Sequence, residues 1–578
     1  MIFTSPYRDL DIPQDLTVPE FVFHHAPDEL EMKPLFYPSP NSARTDAKPL
    51  SLADVRHGAY SLATALLSKE VMGNPWKKGE IFAFYTGNQH DYLLCALGVM
   101  LAGGIPVLIN PMYKPEELMH ILEISRPRAI LASKESYKNA CDVAKTCSKH
   151  SESLLDIWVM DEHHERSYIE RLVKRGALLR ESGDRSIEHI HIEPTKDEAV
   201  YCLSSGTSGL PKAVRLSHYN LITNTIQMTV TLGGRVNKPV YDAANWYDQP
   251  NAPLQNGMNE VHYSLLPQFH CYGLITAMIC LHTLTPNIVE SKFKPEEFFR
   301  AVQEYKVTFS FVVPPIMIAL VKSSLADKYD ISTIKSFASG AASLSKELCD
   351  MVKQMHDIGV TDGYGMTEMS PIIALQTQDD LSLQTLNVGR LVSNTEAIVV
   401  DLNTRKEVGP NQIGELWVRG PQMMMGYLHN EKANQEAFVD VLKDQKPFLR
   451  TGDVVSIDEK GYITIRDRLK DIIKYNGYQV AASEIEQLVY SLPFVLDCAV
   501  VAKVVKEDAA KNELPWAFIV AKEGNDANDK LTEKVLQHVN ERVAGFKKLR
   551  GVTWVDDLPR SAAGKILKRD LRARLNEE

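Results

Sequence analysis

The feature that most constrains the fold is an alternation of short apolar runs with amphipathic stretches through the first two-thirds of the chain. Residues 81–85, 129–132 and 308–313 have the composition of buried strands. Stretches with helical spacing of apolar residues lie between them, such as 115–124 and 295–304. This alternation predicts an α/β protein with largely parallel sheets. A chain of 578 residues is too long for one hydrophobic core, so we expect at least two domains.

The pattern changes near the end of the chain. A charged stretch, 464–473, is followed by Ser483 and Glu486, which have the spacing of a helix capping box. Two further strands are predicted over 498–505 and 516–521. We therefore expect a large N-terminal domain of layered α/β subdomains, 1–468, and a small α+β C-terminal domain, 469–578. A polar segment, 233–260, is predicted to be a long surface loop.

Composition argues against several classes of protein. The formal net charge is −10, whereas nucleic-acid binders are usually basic, so no nucleic-acid partner is expected. The eight cysteines are scattered and none forms a C-x-x-C pair. Neither a zinc site nor a disulfide framework is predicted, and a reducing intracellular compartment fits best.

One uncharged stretch, 92–109, is long enough to raise the question of a membrane span. Gly103, Gly104 and Pro106 interrupt it, so we expect a buried helix over 92–102 and a buried strand over 105–109. The first residues lack the apolar run of a secretory signal, and the last are not a peroxisomal tripeptide. We therefore expect a cytoplasmic protein without a transmembrane segment.

The strongest chemical signal is a loop rich in glycine and hydroxyl side chains, which follows a strand-like run at 199–203. Its sequence over 204–212 is SSGTSGLPK. Backbone N–H groups and hydroxyls of such a loop can surround phosphate oxygens while the lysine supplies charge. Pro211 precedes the lysine where a Walker A loop needs glycine. From composition alone an ordinary hairpin turn is an equal alternative.

This loop resembles the phosphate loop of the adenylate-forming superfamily of acyl-CoA synthetases, luciferases and adenylation domains. Further motifs resemble that superfamily in the same order along essentially the whole chain. They are LPQFHCYG at 266–273, SGAA at 339–342, GYGMTE at 363–368, TGD at 451–453, DRLK at 467–470 and PRSAAGK at 559–565. The resemblance is strongest to plant hydroxycinnamate ligases such as 4-coumarate–CoA ligase.

The resemblance implies a site for ATP and AMP, with Mg²⁺ as cofactor. Tyr364 would stack on adenine, Asp453 would accept the ribose hydroxyls, and Arg468 would add a charge-assisted contact. Glu368 would hold Mg²⁺, which prefers oxygen ligands. The full nucleotide set is Ser204, Ser205, Gly206, Thr207, Ser208, Lys212, Gly340, Ala341, Asp362, Gly363, Tyr364, Thr367, Asp453, Arg468 and Lys565.

Catalysis is assigned by resemblance to Lys565, His270, Thr367 and Glu368. An ammonium group aimed at the α-phosphate would stabilise the charge that develops when a carboxylate attacks it. Thr367 would donate to the α-phosphate, and His270 would orient the carboxylate or gate the site. The alternatives without a catalytic role are a surface lysine in a basic tail for Lys565 and a core histidine for His270.

Two steps are implied: a small carboxylic acid and ATP give acyl-AMP and pyrophosphate, and then the thiol of coenzyme A displaces AMP. The C-terminal domain would be mobile and would rotate about Lys470 between the steps. Lys292, Asn476, Gly477 and Tyr478 match coenzyme A positions, and Lys474 and Gln479 match AMP-side positions.

The acid is expected to bind in a pocket formed by His270, Tyr272, Gly273, Ala341, Gly363 and Leu375. Small residues leave room, and no charged residue is expected to face the acyl group, which suits a hydrophobic acid. An aromatic, hydroxycinnamate-like acid is preferred, and a medium- or long-chain fatty acid is the alternative. Each small residue could instead serve a backbone constraint.

Several departures from the family pattern bear on recognition. Ser208 replaces a threonine, Asp362 a glutamine and Asn476 a lysine, so contacts to the nucleotide, the acid and coenzyme A can differ. Rival functions are an amino-acid adenylating enzyme, a luciferase-like oxygenase and a non-catalytic nucleotide-binding protein. The first usually has an aspartate where His270 stands, and the last would be favoured by loss of Lys565 or Glu368.

Overall fold

The computed structural model describes the chain except residues 24–27, 39–46, 149–155, 161–168, 205–210, 233–259, 323–324, 341–345, 378–379, 381–386, 443–445, 476–477, 505–512, 523, 526, 562–563 and 578. It is a mixed α/β protein with a large N-terminal and a small C-terminal domain. The polar segment 233–260 lies outside the described residues apart from Glu260, so the loop stays a prediction.

The helices of the described residues are α1 Val18–Phe23, α2 Asp28–Glu31, α3 Leu52–Leu67, α4 Lys69–Met72, α5 Tyr92–Leu101, α6 Pro115–Ser125, α7 Lys134–Ser148, α8 Ile169–Glu181, α9 His218–Leu232, α10 Cys271–His282, α11 Pro295–Tyr305, α12 Pro314–Lys322, α13 Lys346–His356, α14 Glu431–Ala437, α15 Ala482–Tyr490, α16 Asp529–Asn540 and α17 Lys568–Glu577. Short 3₁₀ turns lie at Ser186–His189, Ala326–Lys328, Thr367–Met369 and Gly545–Lys547.

The strands are β1 Phe3–Thr4, β2 Pro34–Tyr37, β3 Leu50–Ser51, β4 Ile81–Tyr85, β5 Ile105–Leu108, β6 Ala129–Ala132, β7 Asp156–Val159, β8 Glu198–Ser204, β9 Lys212–Ser217, β10 His262–Ser264, β11 Asn287–Val289, β12 Phe309–Val312, β13 Ser336–Ser339, β14 Gly359–Gly365, β15 Ile372–Leu375, β16 Arg390–Leu391, β17 Glu396–Val400, β18 Gly414–Arg419, β19 Gly426–Tyr427, β20 Phe438–Val439, β21 Phe448–Ile457, β22 Ile463–Arg468, β23 Ile473–Tyr475, β24 Tyr478–Val480, β25 Val495–Val504, β26 Glu513–Ala521 and β27 Gly551–Trp554.

Three sheets make up the large domain. A seven-stranded sheet has the order β19-β9-β8-β5-β4-β6-β7; it is parallel from β8 to β7, and β9 pairs antiparallel with both β8 and β19. A nine-stranded sheet has the order β16-β15-β14-β13-β12-β10-β11-β2-β3 and is parallel from β2 to β14. A six-stranded antiparallel sheet has the order β1-β17-β18-β21-β20, with β22 also paired to β21.

Local sequence explains why these elements form where they do. Strands β5 and β6 are buried along their whole length, which is typical of parallel strands covered on both faces. Helices α6 and α11 each begin with a proline at the first helical position and have glutamates in their first turn, as the helix dipole favours. The α/β prediction is confirmed.

The small domain contains the hairpin β23-β24 and the sheet β25-β26-β27, covered by α15, α16 and α17. Among the described residues, its buried hydrophobic clusters draw only on residues 473–575. This separation supports the predicted boundary at 468/469, which falls where β22 ends. The boundary remains a prediction, because packing alone does not fix a domain border to one residue.

One local prediction is wrong. Ser483 does not cap α15, because the N-cap is Ala481 and Ser483 already lies inside the helix, which begins at Ala482. Its hydroxyl instead donates to the Arg466 carbonyl, and its N–H donates to Asp467 Oδ2 at 3.3 Å. Glu486 accepts from the Val500 N–H at 2.7 Å and pairs with Lys568 at 2.8 Å. Ser483 therefore contacts the large domain, whereas Glu486 binds partners within the small domain, and neither side chain caps α15.

The stretch 92–109 folds as expected, as α5 followed by β5. In the part of the chain that the structure describes, no helix combines the length and the apolar character needed to cross a membrane.

Candidate active site

Strands β8 and β9 are antiparallel, and Ser204 pairs with Lys212 where the two strands meet the glycine-rich loop. The loop thus connects neighbouring strands of one sheet, and its ends are fixed by the ladder. His120, on α6, lies 3.2 Å from the Pro211 carbonyl through Nε2, which further anchors the loop exit. Ser205, Gly206, Thr207 and Ser208 lie outside the described residues, so their phosphate contacts stay predictions.

Glu368 lies in the 3₁₀ turn that follows β14, and it is buried with only 6% of its surface exposed. The Tyr427 hydroxyl donates to Glu368 Oε1 at 2.8 Å, and the Met424 N–H donates to the Glu368 carbonyl at 2.9 Å. The adjacent Thr367 is also buried. The turn therefore presents one carboxylate and one hydroxyl from a rigid backbone.

The described residues contain no cluster of three or more histidine, cysteine, aspartate or glutamate side chains that could enclose a metal ion. Mg²⁺ does not need such a cluster, since it is usually held by one or two carboxylates together with phosphates and water. The buried Glu368 carboxylate has one oxygen tied to Tyr427 and a second oxygen, Oε2, that can serve as a ligand. The residues present thus fit a phosphate-bound Mg²⁺.

The pairing of β13 with β14 places Ser339 opposite Asp362, and Gly340 and Gly363 each follow directly in the sequence. The Gly363 N–H donates to Asp362 Oδ1 at 2.9 Å. Burial raises the pKa of Asp362 to about 7, although the Gly363 N–H acts in the opposite direction. Near neutral pH part of Asp362 is therefore protonated and uncharged, as the glutamine expected from related sequences always is, and the rest carries a negative charge. Ala341 lies outside the described residues.

A second group lies where the middle of β21 pairs with the end of β22. The Tyr364 hydroxyl donates to Asp453 Oδ2 at 2.6 Å, and Arg468 Nε lies 3.2 Å from Asp453 Oδ1. Asp453 is paired with Arg468 in the strand register and is almost fully buried. Burial and the neighbouring Asp453 raise the pKa of Tyr364, so its hydroxyl remains a donor. A carboxylate held in this way can accept hydrogen bonds from a diol.

His270 forms the N-cap of α10, and its Nδ1 accepts from the Tyr272 N–H at 3.3 Å. Burial, with a smaller effect of Lys565, lowers the pKa of His270 to about 4. The imidazole is therefore neutral at physiological pH, and because Nδ1 accepts, the proton resides on Nε2. Asn88 fixes the preceding loop by accepting from the Gln268 N–H at 2.7 Å and donating to the Leu266 carbonyl at 3.0 Å.

Lys565 comes from the small domain and reaches the same region. Burial and, next in size, the positive charge of Arg468 lower the pKa of Lys565 to about 7, whereas Asp453 acts in the opposite direction. A tight turn presents it: the Ser561 N–H donates to the Lys565 carbonyl at 2.8 Å, and Arg560 Nη1 donates to the Gly564 carbonyl at 2.7 Å. A Cβ atom on Gly564 would lie 3.2 Å from Val313, at the end of β12. The turn therefore packs against the large domain.

Several of the residues predicted to line the acyl pocket lie against one another. The Tyr272 ring covers Gly340, where an added Cβ would lie 3.1 Å from the ring, and it packs edge-on against Phe311 with centroids 5.9 Å apart. Leu375 covers Gly363, where an added Cβ would lie 2.8 Å from Leu375 Cδ1. The two glycines thus accommodate side chains of the chain itself.

Gly273 has a different reason to be glycine. An added Cβ would lie 2.0 Å from the Pro267 carbonyl oxygen, so the close approach of the two backbones at the start of α10 requires it. The backbone explanation thus accounts for Gly273, and its role in the acyl pocket stays a prediction.

Of the residues predicted to bind coenzyme A or to contact AMP from the hairpin, Lys292 and Lys474 have their recorded contacts away from Lys565. Lys292 is exposed and lies 3.4 Å from Glu135. Lys474 is exposed on β23, and its backbone N–H donates to Glu513 at 2.8 Å. Tyr478 and Gln479 pair with Tyr475 and Lys474 in the hairpin, and Asn476 and Gly477 lie outside the described residues. Lys470, at the predicted hinge, has an exposed surface, and partial desolvation together with the neighbouring Arg468 lowers its pKa.

Sequence reasoning missed two residues that organise the site, Tyr427 and Arg560. Tyr427 lies beneath Lys212, whose Nζ is 4.8 Å from the ring centroid, and also contacts Glu368. Arg560 pairs with Asp497 and fixes the turn that carries Lys565. The glycine before Tyr427 and the proximity of Arg560 to Lys565 in the sequence were the available signals.

Comparison with known proteins identifies the family of the chain. The family model "AMP-binding enzyme" matches residues 36–428, and the model of its C-terminal domain matches 484–565. The chain is 32% identical to a probable 4-coumarate–CoA ligase 1 of Dictyostelium discoideum, over 86% of each chain. It is 30% identical to 4-coumarate–CoA ligase 2 of Nicotiana tabacum, over 100% of this chain and 97% of that protein.

Solved structures share the fold. ATP-bound MatB from Rhodopseudomonas palustris superimposes with a TM-score of 0.77 at 23% identity, over 97% of this chain and 99% of the other. The first family model covers more than half of the chain, and the relatives above are at least 30% identical over most of it. The chain therefore belongs to the adenylate-forming family of AMP-binding enzymes, and within it resembles the 4-coumarate–CoA ligases.

Proposed function

We propose that the protein is an AMP-forming acid–CoA ligase that activates an aromatic carboxylic acid with ATP and transfers the acyl group to coenzyme A. The observation that carries the proposal is the position of Lys565. This lysine of the small domain lies within the electrostatic reach of Asp453, Arg468 and His270 of the large domain. A nucleotide bound by the large domain would bring its α-phosphate between these groups.

The residues support the first step, adenylation. The carboxylate of the acid attacks the α-phosphorus, pyrophosphate leaves, and the negative charge on the phosphoryl oxygens is stabilised by Lys565 and the Thr367 hydroxyl. His270 has its Nε2–H available to orient the attacking carboxylate, since Nδ1 is occupied by the Tyr272 N–H. Glu368 would hold Mg²⁺, which neutralises charge on the phosphates when it is bound.

The second step requires a different arrangement. Lys292 is exposed beside Glu135 and Lys474 is exposed on β23, and neither has a recorded contact with Lys565 among the described residues. This supports a rotation of the small domain about Lys470, which would withdraw Lys565 and present the β23-β24 hairpin. The thiol of coenzyme A then attacks the acyl carbonyl carbon, the bond to the AMP oxygen breaks, and AMP leaves.

An aromatic acid is favoured by the character of the predicted pocket. The edge-on pair of Tyr272 and Phe311 offers aromatic surface, and aromatic rings pack well in that geometry. The relatives named as 4-coumarate–CoA ligases point in the same direction. A medium- or long-chain fatty acid remains the second candidate, favoured by the apolar Leu375 beside Gly363.

Pyrophosphate release by the purified protein tests the proposal. The assay uses MgATP with a panel of hydroxycinnamic, benzoic and aliphatic acids, with and without coenzyme A. We expect release that depends on an aromatic acid and rises with coenzyme A. Release that depends only on aliphatic acids would overturn the aromatic assignment, and acid-dependent release without any thioester product would overturn the ligase assignment.

A further inference from the structure

We propose that Tyr427 is a positioning residue that holds the phosphate-loop lysine, Lys212, and the metal-binding glutamate, Glu368, in register for MgATP. The inference rests on the proposed function, because the roles of Lys212 and Glu368 belong to it. Tyr427 was outside every predicted motif, yet it is the side chain that contacts both charged groups.

The backbone of Tyr427 is tied to the strand that begins at Lys212. Tyr427 pairs with Val214, and the Leu428 N–H donates to the Ala213 carbonyl at 2.9 Å. On the other side, the Met424 N–H donates to the Glu368 carbonyl at 2.9 Å. Residues 424–428 therefore connect the exit of the phosphate loop with the turn that carries Glu368.

The ring acts on Lys212. Lys212 Nζ lies 4.8 Å from the ring centroid, within the range of a cation–π interaction. A ring face attracts an ammonium group but does not neutralise it, unlike a carboxylate. Lys212 is thus held in place while its full charge stays available for phosphate oxygens.

The hydroxyl acts on Glu368 by donating to Oε1 at 2.8 Å. A tyrosine hydroxyl is protonated at neutral pH, so it can donate to the carboxylate. With Oε1 occupied, the carboxylate cannot rotate freely, and Oε2 is the oxygen left to face a metal ion. The hydrogen bond orders the Glu368 carboxylate before Mg²⁺ binds, and this reduces the entropic cost of binding the metal.

Tyr427 is itself held firmly. Its N–H donates to Asn434 Oδ1 at 2.6 Å, and Asn434 Nδ2 donates back to the Tyr427 carbonyl at 3.1 Å. Gly426 has φ +133°, and an added Cβ would lie 3.0 Å from Asn434 Oδ1. This position therefore favours glycine, and the glycine lets Asn434 approach the backbone of Tyr427.

The chain offers a matched control in Tyr462. Its hydroxyl donates to Asp380 Oδ1 at 2.7 Å, and Arg390 lies 5.0 Å from its ring centroid. The same combination of ring, cation and carboxylate thus occurs outside the residues assigned to the nucleotide. Y462F should show what the loss of such a hydroxyl does when no ligand site is involved.

Calorimetric titration of the full-length protein with ATP, in excess MgCl₂ and separately in EDTA, tests the inference without acid or coenzyme A. In Y427F the ring remains and the hydroxyl is lost. We expect the MgATP affinity to fall roughly 10-fold, as for a hydrogen bond to a charged group, with affinity in EDTA within about twofold of the wild type. Y427L should weaken ATP binding in both buffers, because Lys212 also loses the ring.

Y462F should bind like the wild type in both buffers. The inference would be overturned if Y427F bound MgATP as tightly as the wild type, or if it lost the same ATP affinity in MgCl₂ and in EDTA. It would also be overturned if the ATP affinity of the wild type did not depend on Mg²⁺. If Y427L fails to fold, Y427F with its control still decides the outcome. A failure of the proposed function can be told apart from a failure of this inference. A wild-type protein that binds MgATP but releases no acid-dependent pyrophosphate would contradict the ligase assignment but not the role of Tyr427.

Discussion

Lys565 is the residue whose environment matters most for the chemistry. Burial and the neighbouring Arg468 lower its pKa to about 7, while Asp453 acts in the opposite direction. With the two domains in this arrangement, Lys565 is therefore charged in part of the molecules and neutral in the rest near pH 7. Only the charged form can stabilise the developing charge on the α-phosphate.

This environment predicts a pH profile. In the adenylation step, kcat/KM for ATP reports the free enzyme, so it should fall by up to about tenfold per unit as pH rises above 7. In K565R the falling limb should disappear, because arginine stays charged throughout this range. The measurement is acid-dependent pyrophosphate release from pH 6 to 9. An identical decline in both proteins would assign the titration to another group, such as Asp362.

Leu375 controls the space over Gly363. Because its Cδ1 would lie only 2.8 Å from an added Cβ, the side chain fills the room that the glycine leaves. We expect L375A to raise kcat/KM for aromatic acids with bulky ring substituents relative to the unsubstituted acid by roughly 10-fold, the worth of a few methylene groups in a pocket. A panel of substituted acids measures the ratio. An unchanged ratio would place the acyl group elsewhere.

At the scale of elements, helix α10 depends on one close backbone approach. In G273A the new Cβ would meet the Pro267 carbonyl at 2.0 Å, so the start of the helix must shift. Overpacking of this kind costs ~1–3 kcal/mol. Thermal unfolding should show a clear fall in Tm and, because His270 caps the helix, a loss of adenylation. G409A is the control, since no atom lies within 4 Å of its added Cβ. Equal Tm values for the two variants would contradict this explanation.

Elements with strong local signals were predictable from the sequence. The buried strands β4 and β6 and the proline-initiated helices α6 and α11 start where composition indicates. The start of α15 was not predictable, because Ser483 and Glu486 bind partners from other parts of the chain. Similarly, motif resemblance indicated Glu368 and Lys565, but the contacts of Tyr427 depend on strand pairing that no local pattern shows.

At the scale of the whole molecule, the small domain docks so that its Lys565 turn packs against Val313. Contacts across the predicted boundary include the Ser483 N–H with Asp467 Oδ2 at 3.3 Å and the Ser483 hydroxyl with the Arg466 carbonyl. Each is a single hydrogen bond of a partly exposed residue, which can be broken at modest cost. We infer that this arrangement serves adenylation and that the thioester step needs another.

The most direct test compares the two half-reactions in K565A and in the wild type, with acyl-CoA identified by mass spectrometry. One set of reactions receives acid, ATP and coenzyme A, and the other receives preformed acyl-adenylate and coenzyme A. We predict that K565A loses thioester formation from the acid by roughly 100- to 1,000-fold, as when one oxyanion donor is removed, but converts the supplied adenylate at near wild-type rate. Equal loss in both reactions would contradict the assignment of Lys565 to the first step only.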